Sequence, residues 1–249
     1  MSIKVECVSK SFAATMAVAD ISFAVADNSF VSIVGPSGCG KSTILRMVAG
    51  LVRPSAGRIS LRGDPVERPL RGIGMVFQTP VLLPWRTTLG NVLFVAEMGK
   101  KGASAHRHRA SQLLARAGLA GFENSYPHEL SGGMQQRAAI CRAMLLQPPL
   151  ILIDEPFAAL DVITRERMGF ALQRLWEESR STVLFVTHSI SEAVLLSDSV
   201  IVMTPRPGRI RNIVAIDLPR PRRAEALSTP RFQALCARVR EGIEALWTD

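Results

Sequence analysis

Several things are scarce in this 249-residue chain, and each scarcity excludes something. It has no long apolar run. The longest stretch without a charge is Gly72 to Trp85, 14 residues, and Pro80 and Pro84 interrupt it. A membrane-spanning helix needs about 20 consecutive apolar residues, so no span is expected. The start, "MSIKVECVSK", has no apolar signal core, so the chain is expected to stay in the cytosol. Cysteine is sparse. Cys7, Cys39, Cys141 and Cys236 form no C-x-x-C pair, which argues for reduced thiols rather than a disulfide frame or zinc. Aromatics make up 6 % of the chain and do not interleave with the basic residues. That is not how a nucleic-acid groove is composed. Internal repeats, low-complexity tracts and sustained heptads are absent.

What the chain does have is positive charge, 30 basic residues against 21 acidic. Lys100, Lys101, Arg107, Arg109 and Arg116 meet no acid between 100 and 116, and from Pro205 onward nine arginines face five acids. Such a balance suits nucleic acid or an anionic membrane surface. For most of these residues a solvated face is the expectation.

Along the chain, "IKVECV", "ISFAV" and "FVSIVG" read as strands, and "KSTILRMVAGL" follows with helical spacing. "GRISLRG" and "RGIGMVFQ" read as two more strands. From Leu89 to Gln147 the pattern is helical, broken at 99–103 and 118–130. "PLILIDEP", "STVLFVTH" and "DSVIVM" are the continuous apolar strands of a buried parallel sheet, with helices between them. The tail from Arg231 to Trp247 sets Phe232, Leu235, Val239, Ile243 and Leu246 on one stripe, a core-facing helix. The expected fold is α/β, a nucleotide domain interrupted by a helical insertion.

The chemistry starts at "GPSGCGKST", 35–43, which matches G-x-x-x-x-G-K-[ST] between a strand and a helix. Gly35, Gly38 and Gly40 let backbone amides wrap phosphates, with Pro36, Ser37, Cys39 and Thr43 completing the loop. Lys41 brings charge to the β and γ phosphates. Ser42 offers a hydroxyl to Mg²⁺, and the helix dipole adds to the attraction. Asp154 closes the strand "LILID", 113 residues after Lys41, where a carboxylate can hold Mg²⁺. Glu155 follows directly and can polarise an attacking water. Gln78 and His188 each follow a strand, at the edge where open sheets bind ligands. Gln78 can touch metal or water, and His188 can donate to the γ phosphate. A second anion-binding helix start, "LSGGMQQR" at 130–137, has no phosphate loop of its own.

These motifs, with "ALD" at 159–161, resemble in content and order the ATP-binding subunit of ABC transporters: Walker A, Gln78, the signature, Walker B and His188. The resemblance implies a P-loop ABC ATPase fold for the whole chain. It divides that fold into a RecA-like core plus antiparallel β subdomain (about 1–78 and 148–249) and a helical subdomain (about 79–147). It implies ATP and Mg²⁺ as cofactors, with Ser42, Gln78 and Asp154 toward the metal, and Glu155, His188, Gln78 and Lys41 as catalytic residues. It also implies a head-to-tail homodimer in which Ser131, Gly132, Gly133 and Gln135 of one chain meet the γ phosphate held by the other, with Asp161 signalling across the interface. Position 158, usually Ser, is Ala158 here. Phe12 matches the aromatic that stacks on adenine, and a core Phe is its alternative reading.

"QTPVLLPWRTTLGNVLF", 78–94, and the "PRPGRI…LPRPR" tail look like importers of nitrate, sulfonates and taurine. That implies a transmembrane permease, an extracytoplasmic solute-binding protein, and a peripheral place on the cytoplasmic face of the inner membrane. Pro84 and Trp85 would contact the permease, unless Trp85 packs inside the insertion. No nucleic-acid partner is expected. A soluble ABC ATPase working on DNA or ribosomes is the rival from another class, and a P-loop kinase a third. The solute cannot be read from these residues.

Overall fold

The computed structural model describes residues 2–98, 102–158 and 160–244. In chain order they form β1 (Ile3–Phe12), β2 (Thr15–Val25), β3 (Phe30–Val34), α1 (Lys41–Val48), β4 (Ala56–Leu61), β5 (Asp64–Pro65) and β6 (Gly74–Val76). Then come α2 (Thr88–Glu97), α3 (Arg107–Arg116), α4 (Gly132–Met144), β7 (Leu150–Asp154), α5 (Val162–Ser179), β8 (Thr182–Val186), α6 (Ile190–Leu196), β9 (Ser199–Met203), β10 (Ile210–Ala215) and α7 (Pro230–Glu244). Two compact units result: Met1–Arg71 with Thr182–Asp249, and Gly72–Ser181.

The first unit holds an antiparallel sheet in the order β2-β1-β4-β5. It also holds parallel pairs of β3 with β8 and with β9, and β10 runs antiparallel along β9. β3 and β8 are buried at every position, which is why they are apolar but for Ser32 and Thr182. β10 has one buried residue in six, so its hydrophobic signal is too thin to be seen in advance. α6 packs on β3 and β9, and α7 on β9 and β10. Phe232, Leu235 and Val239 of α7 face that core. Leu246 and Trp247 lie outside the described residues, as do Lys100 and Lys101.

The second unit carries the parallel pair β6 and β7 with helices α2 to α5. β6 is only three residues long, so Gln78 lies past its end rather than in a long strand. α5 starts on Asp161, whose Oδ1 accepts from the Thr164 amide at 2.9 Å, and ends where Arg180 turns left-handed at φ 51°. Trp176, fully buried, donates its Nε1 to the Ser181 carbonyl at 2.7 Å, so the indole is both packed and satisfied.

Most arginines of the basic tail are solvated, as expected, but Arg220 and Arg222 are not. Arg222 is 3 % exposed and donates to the carbonyls of Val194, Leu195 and Ser197, each at 2.8 Å. Arg220 reaches the Leu196 carbonyl at 2.5 Å and Asp198 at 2.9 Å. The cause is local: the last carbonyls of α6 have no helical partner, and these two guanidiniums supply the donors.

Candidate active site

In the first unit β3 delivers the chain to Gly35, and α1 begins at Lys41. Gly40 caps α1 at φ 99°, a conformation that L side chains rarely adopt. Ile44, Leu45, Met47 and Val48 bury the inner face and fix its direction. Lys41 is 5 % exposed, and its Nζ donates to the carbonyls of Gly35 at 2.9 Å and Pro36 at 3.1 Å. The ammonium is thus folded back over the loop whose amides open on the helix start. Cys39 is buried, with its amide turned to the Pro36 carbonyl at 3.3 Å. A small side chain is what the position admits.

His188 lies two residues past β8 and is exposed. Its neighbours are held tightly. Thr187 Oγ1 donates to buried Glu192 at 2.6 Å, Ser189 N donates to Thr187 Oγ1 at 3.0 Å, and Ser189 caps α6. The ring is therefore presented by a braced backbone.

In the second unit Asp154 ends β7 at 7 % exposure. Glu155 adopts φ 43°. A non-glycine residue there costs about 1 kcal/mol or more. Among the described residues no cluster of three His, Cys, Asp or Glu could hold a metal.

Ser131 caps α4, its Oγ accepting from the Met134 amide at 3.3 Å, and is exposed with Gly132. A Cβ on Gly132 would meet nothing within 4 Å. Gly133 is buried against Leu160. The amides that start α4 have no preceding turn to bond to, so this end can accept an anion.

Residues 18–158 match the ABC transporter family. The chain belongs to that family. An ABC transporter ATP-binding protein of Methanocaldococcus jannaschii is 48 % identical over 206 residues, 83 % of this chain and 77 % of the relative. An aliphatic sulfonates import ATP-binding protein of Bacillus licheniformis is 39 % identical over 94 % of this chain and 89 % of its own. A taurine import ATP-binding protein of Yersinia pestis is 43 % identical over 78 % and 76 %. Among solved structures, a dimeric bacterial ABC transporter cassette has a TM-score of 0.76 at 33 % identity, covering 87 % of this chain and 99 % of that one. A post-hydrolysis cassette bound to ADP and phosphate gives the same figures. The chain has the P-loop ABC ATPase fold, binds ATP, and is an ATPase coupled to transport.

Within this ABC subunit Phe12 is 49 % exposed, which removes the core-Phe reading, and Lys10 Nζ sits 5.0 Å from its ring centre. Trp85 is 71 % exposed and Pro84 is exposed too, so Trp85 does not pack inside the insertion. Gln135 turns inward: its Nε2 donates to the carbonyls of Pro127 at 2.9 Å and Leu130 at 3.3 Å, bracing the turn before Ser131. Ala159 lies outside the described residues, while Asp161 is the exposed cap of α5.

Sequence reasoning missed the struts. Gln136, buried in α4, donates to the Phe77 carbonyl at 3.1 Å, one residue before Gln78. Asn91 is fully buried. Its Oδ1 accepts from Leu83 N at 2.7 Å, and its Nδ2 donates to the carbonyls of Leu83, Arg86 and Thr87. Arg142 donates to the Val81 carbonyl at 2.6 Å. These side chains shape the segment 78–87. A buried Asn inside an apolar helix was the available signal.

Proposed function

We propose that this chain is the energy-coupling subunit of an ABC importer for a small solute of the sulfonate, taurine or nitrate kind. The carrying observation is the sulfonate-import relative, alike over 94 % of this chain. The exposed Pro84 and Trp85 support the reading. A large aromatic standing in solvent at 71 % exposure suits a surface that a partner covers. That partner would be the transmembrane permease, with an extracytoplasmic binding protein delivering the solute. Among the described residues no helix is long and apolar enough to cross a membrane. The subunit would then sit on the permease at the cytoplasmic face.

The whole chain would act as one ATP-binding domain and pair with a second copy. Lys41 and the amides from Gly35 to Thr43 would hold the phosphates of ATP, and Phe12 would stack on adenine. Ser42, Gln78 and Asp154 would hold Mg²⁺, which supplies neutralising charge to the phosphates. Glu155 would orient the attacking water, and His188 would donate to the γ phosphate. The exposed start of α4 would meet the γ phosphate of the other copy, through the hydroxyl of Ser131 and the amides of Gly132 and Gly133, while Gln135 supports that turn. Asp161 would lie at the interface.

The test is purification of tagged Glu155→Gln protein from solubilised membranes with MgATP. A multi-span permease recovered in equal amount supports the proposal. Ribosomes, DNA or no membrane protein would overturn the importer reading.

A further inference from the structure

The loop between β9 and β10 reaches the phosphate loop with residues outside the G-x-x-x-x-G-K pattern. Arg206 donates from Nε and from Nη2 to the carbonyl of Gly38, both at 3.2 Å. Two residues on, Gly208 lies so close to the Cys39 carbonyl that a Cβ there would stand 1.9 Å from the oxygen. Gly208 also bonds to β2. Its amide donates to Ala17 at 3.0 Å, and its carbonyl accepts from Ala19 at 2.9 Å. Between those two residues Val18 packs on Gly40, where a Cβ would come within 2.4 Å of its methyl. The β9–β10 loop holds its own shape, with the Thr204 amide on the Arg209 carbonyl and the Arg209 amide on Thr204 Oγ1, each at 2.9 Å. Three successive residues of the phosphate loop are thus pinned from behind.

We propose that Arg206 is a positioning residue of the nucleotide site, presetting the phosphate loop before ATP arrives. The proposal rests on the reading that this loop binds ATP. A loop with three glycines in six residues has much conformational freedom to lose. The peptide unit is planar, so fixing the Gly38 carbonyl fixes the plane that ends at the Cys39 amide. A guanidinium hydrogen bond to a carbonyl is among the stronger kinds, though exposure weakens it here. Order set in advance lowers the entropy lost on binding. Its loss should therefore weaken ATP affinity and leave the chemical step alone.

The experiment uses the full-length chain and compares wild type, Arg206→Ala, Arg206→Lys and Arg209→Ala. Arg209 is the exposed neighbour whose loop contacts use backbone atoms. MgATP binding is measured by calorimetry, hydrolysis at steady state, and Tm by melting. Arg206→Ala should raise Kd and KM for MgATP about fivefold. It should keep kcat within about twofold and leave Tm unchanged. Arg206→Lys should recover part of the affinity, because an ammonium can still donate to the carbonyl. Arg209→Ala should match wild type. Unchanged affinity in Arg206→Ala would overturn the inference while leaving the ATP site intact. Equal weakening by Arg209→Ala would assign the effect to general charge, and a fall in Tm with kcat would make Arg206 merely structural; either overturns it. Folded wild type that fails to bind MgATP would sink the ATP-site reading, and this inference with it.

Discussion

Two helices of this chain begin at glycine-rich turns, and they are finished in opposite ways. The start of α1 is closed in by its own unit. Lys41 is buried and bonded to two loop carbonyls, and Gly40 fits against Val18 with no room for a Cβ. The start of α4 is open. Ser131 and Gly132 are exposed, and nothing lies within 4 Å of where a Gly132 Cβ would be. The same helix-end electrostatics serve both. On the proposed reading, the end with the buried cation keeps its own anion, and the bare, capped end is completed by something outside the chain.

The strongest way to break this contrast is at the lysine. Lys41→Ala should lower ATP hydrolysis about a thousandfold, because the charge that meets the phosphates is gone. Near-normal turnover in a steady-state assay would end the assignment. The next test mixes two dead proteins, Lys41→Ala and Ser131→Arg, in equal amounts. If the α4 end serves the other copy, half the dimers regain one intact site, and up to about a quarter of wild-type hydrolysis should return. No recovery would place both ends on one chain's own nucleotide. A milder pair separates fold from function. Gly40→Ala should destabilise the protein by about 2 kcal/mol or more, from φ strain and the Val18 clash. Gly132→Ala should leave the melting point unmoved, since a Cβ there meets nothing within 4 Å, and still slow hydrolysis if a partner's phosphate approaches that backbone as proposed. A drop in Tm for Gly132→Ala would contradict the open end.

The smallest effect lies at Asp161. Thr164, by its side chain and backbone, holds the Asp161 carboxyl below the usual aspartate range. A folded pKa below the unfolded one contributes stability that is present above the unfolded value and lost as pH falls through the folded one. Asp161→Asn keeps a capping oxygen, so Tm at pH 7 should barely change. The fall in Tm toward acid pH should become slightly shallower, and identical pH–Tm curves would refute the link.

Much of this was legible in order along the chain, because it is local. "GPSGCGKST" needs only a strand before it and a helix after it, and both are there. "LILID" is apolar at each position before its acid, and Asp154 does end a buried strand. β10 was not legible, since five of its six residues are not buried and periodicity has little to act on. Nor were the struts. Gln136 to Phe77 joins residues 59 apart, and Arg206 to Gly38 joins residues 168 apart. Such pairs exist only once the chain has folded.

The alternatives for Trp85 and Phe12 show the same division. An aromatic carries equal hydrophobic weight in a core or on a partner surface, so spacing alone left both open. Their exposure decided against the core in each case. Sequence by itself determined the order of the motifs, the residue types proposed to meet phosphate and metal, and most of the strands and helices that flank them, because these follow from short-range geometry and backbone chemistry. Tertiary structure alone decided which arginines are buried as struts, which aromatics stand in solvent, and which glycine-rich helix end is closed and which is left open. Those outcomes depend on which distant carbonyls and side chains the fold brings within hydrogen-bond reach.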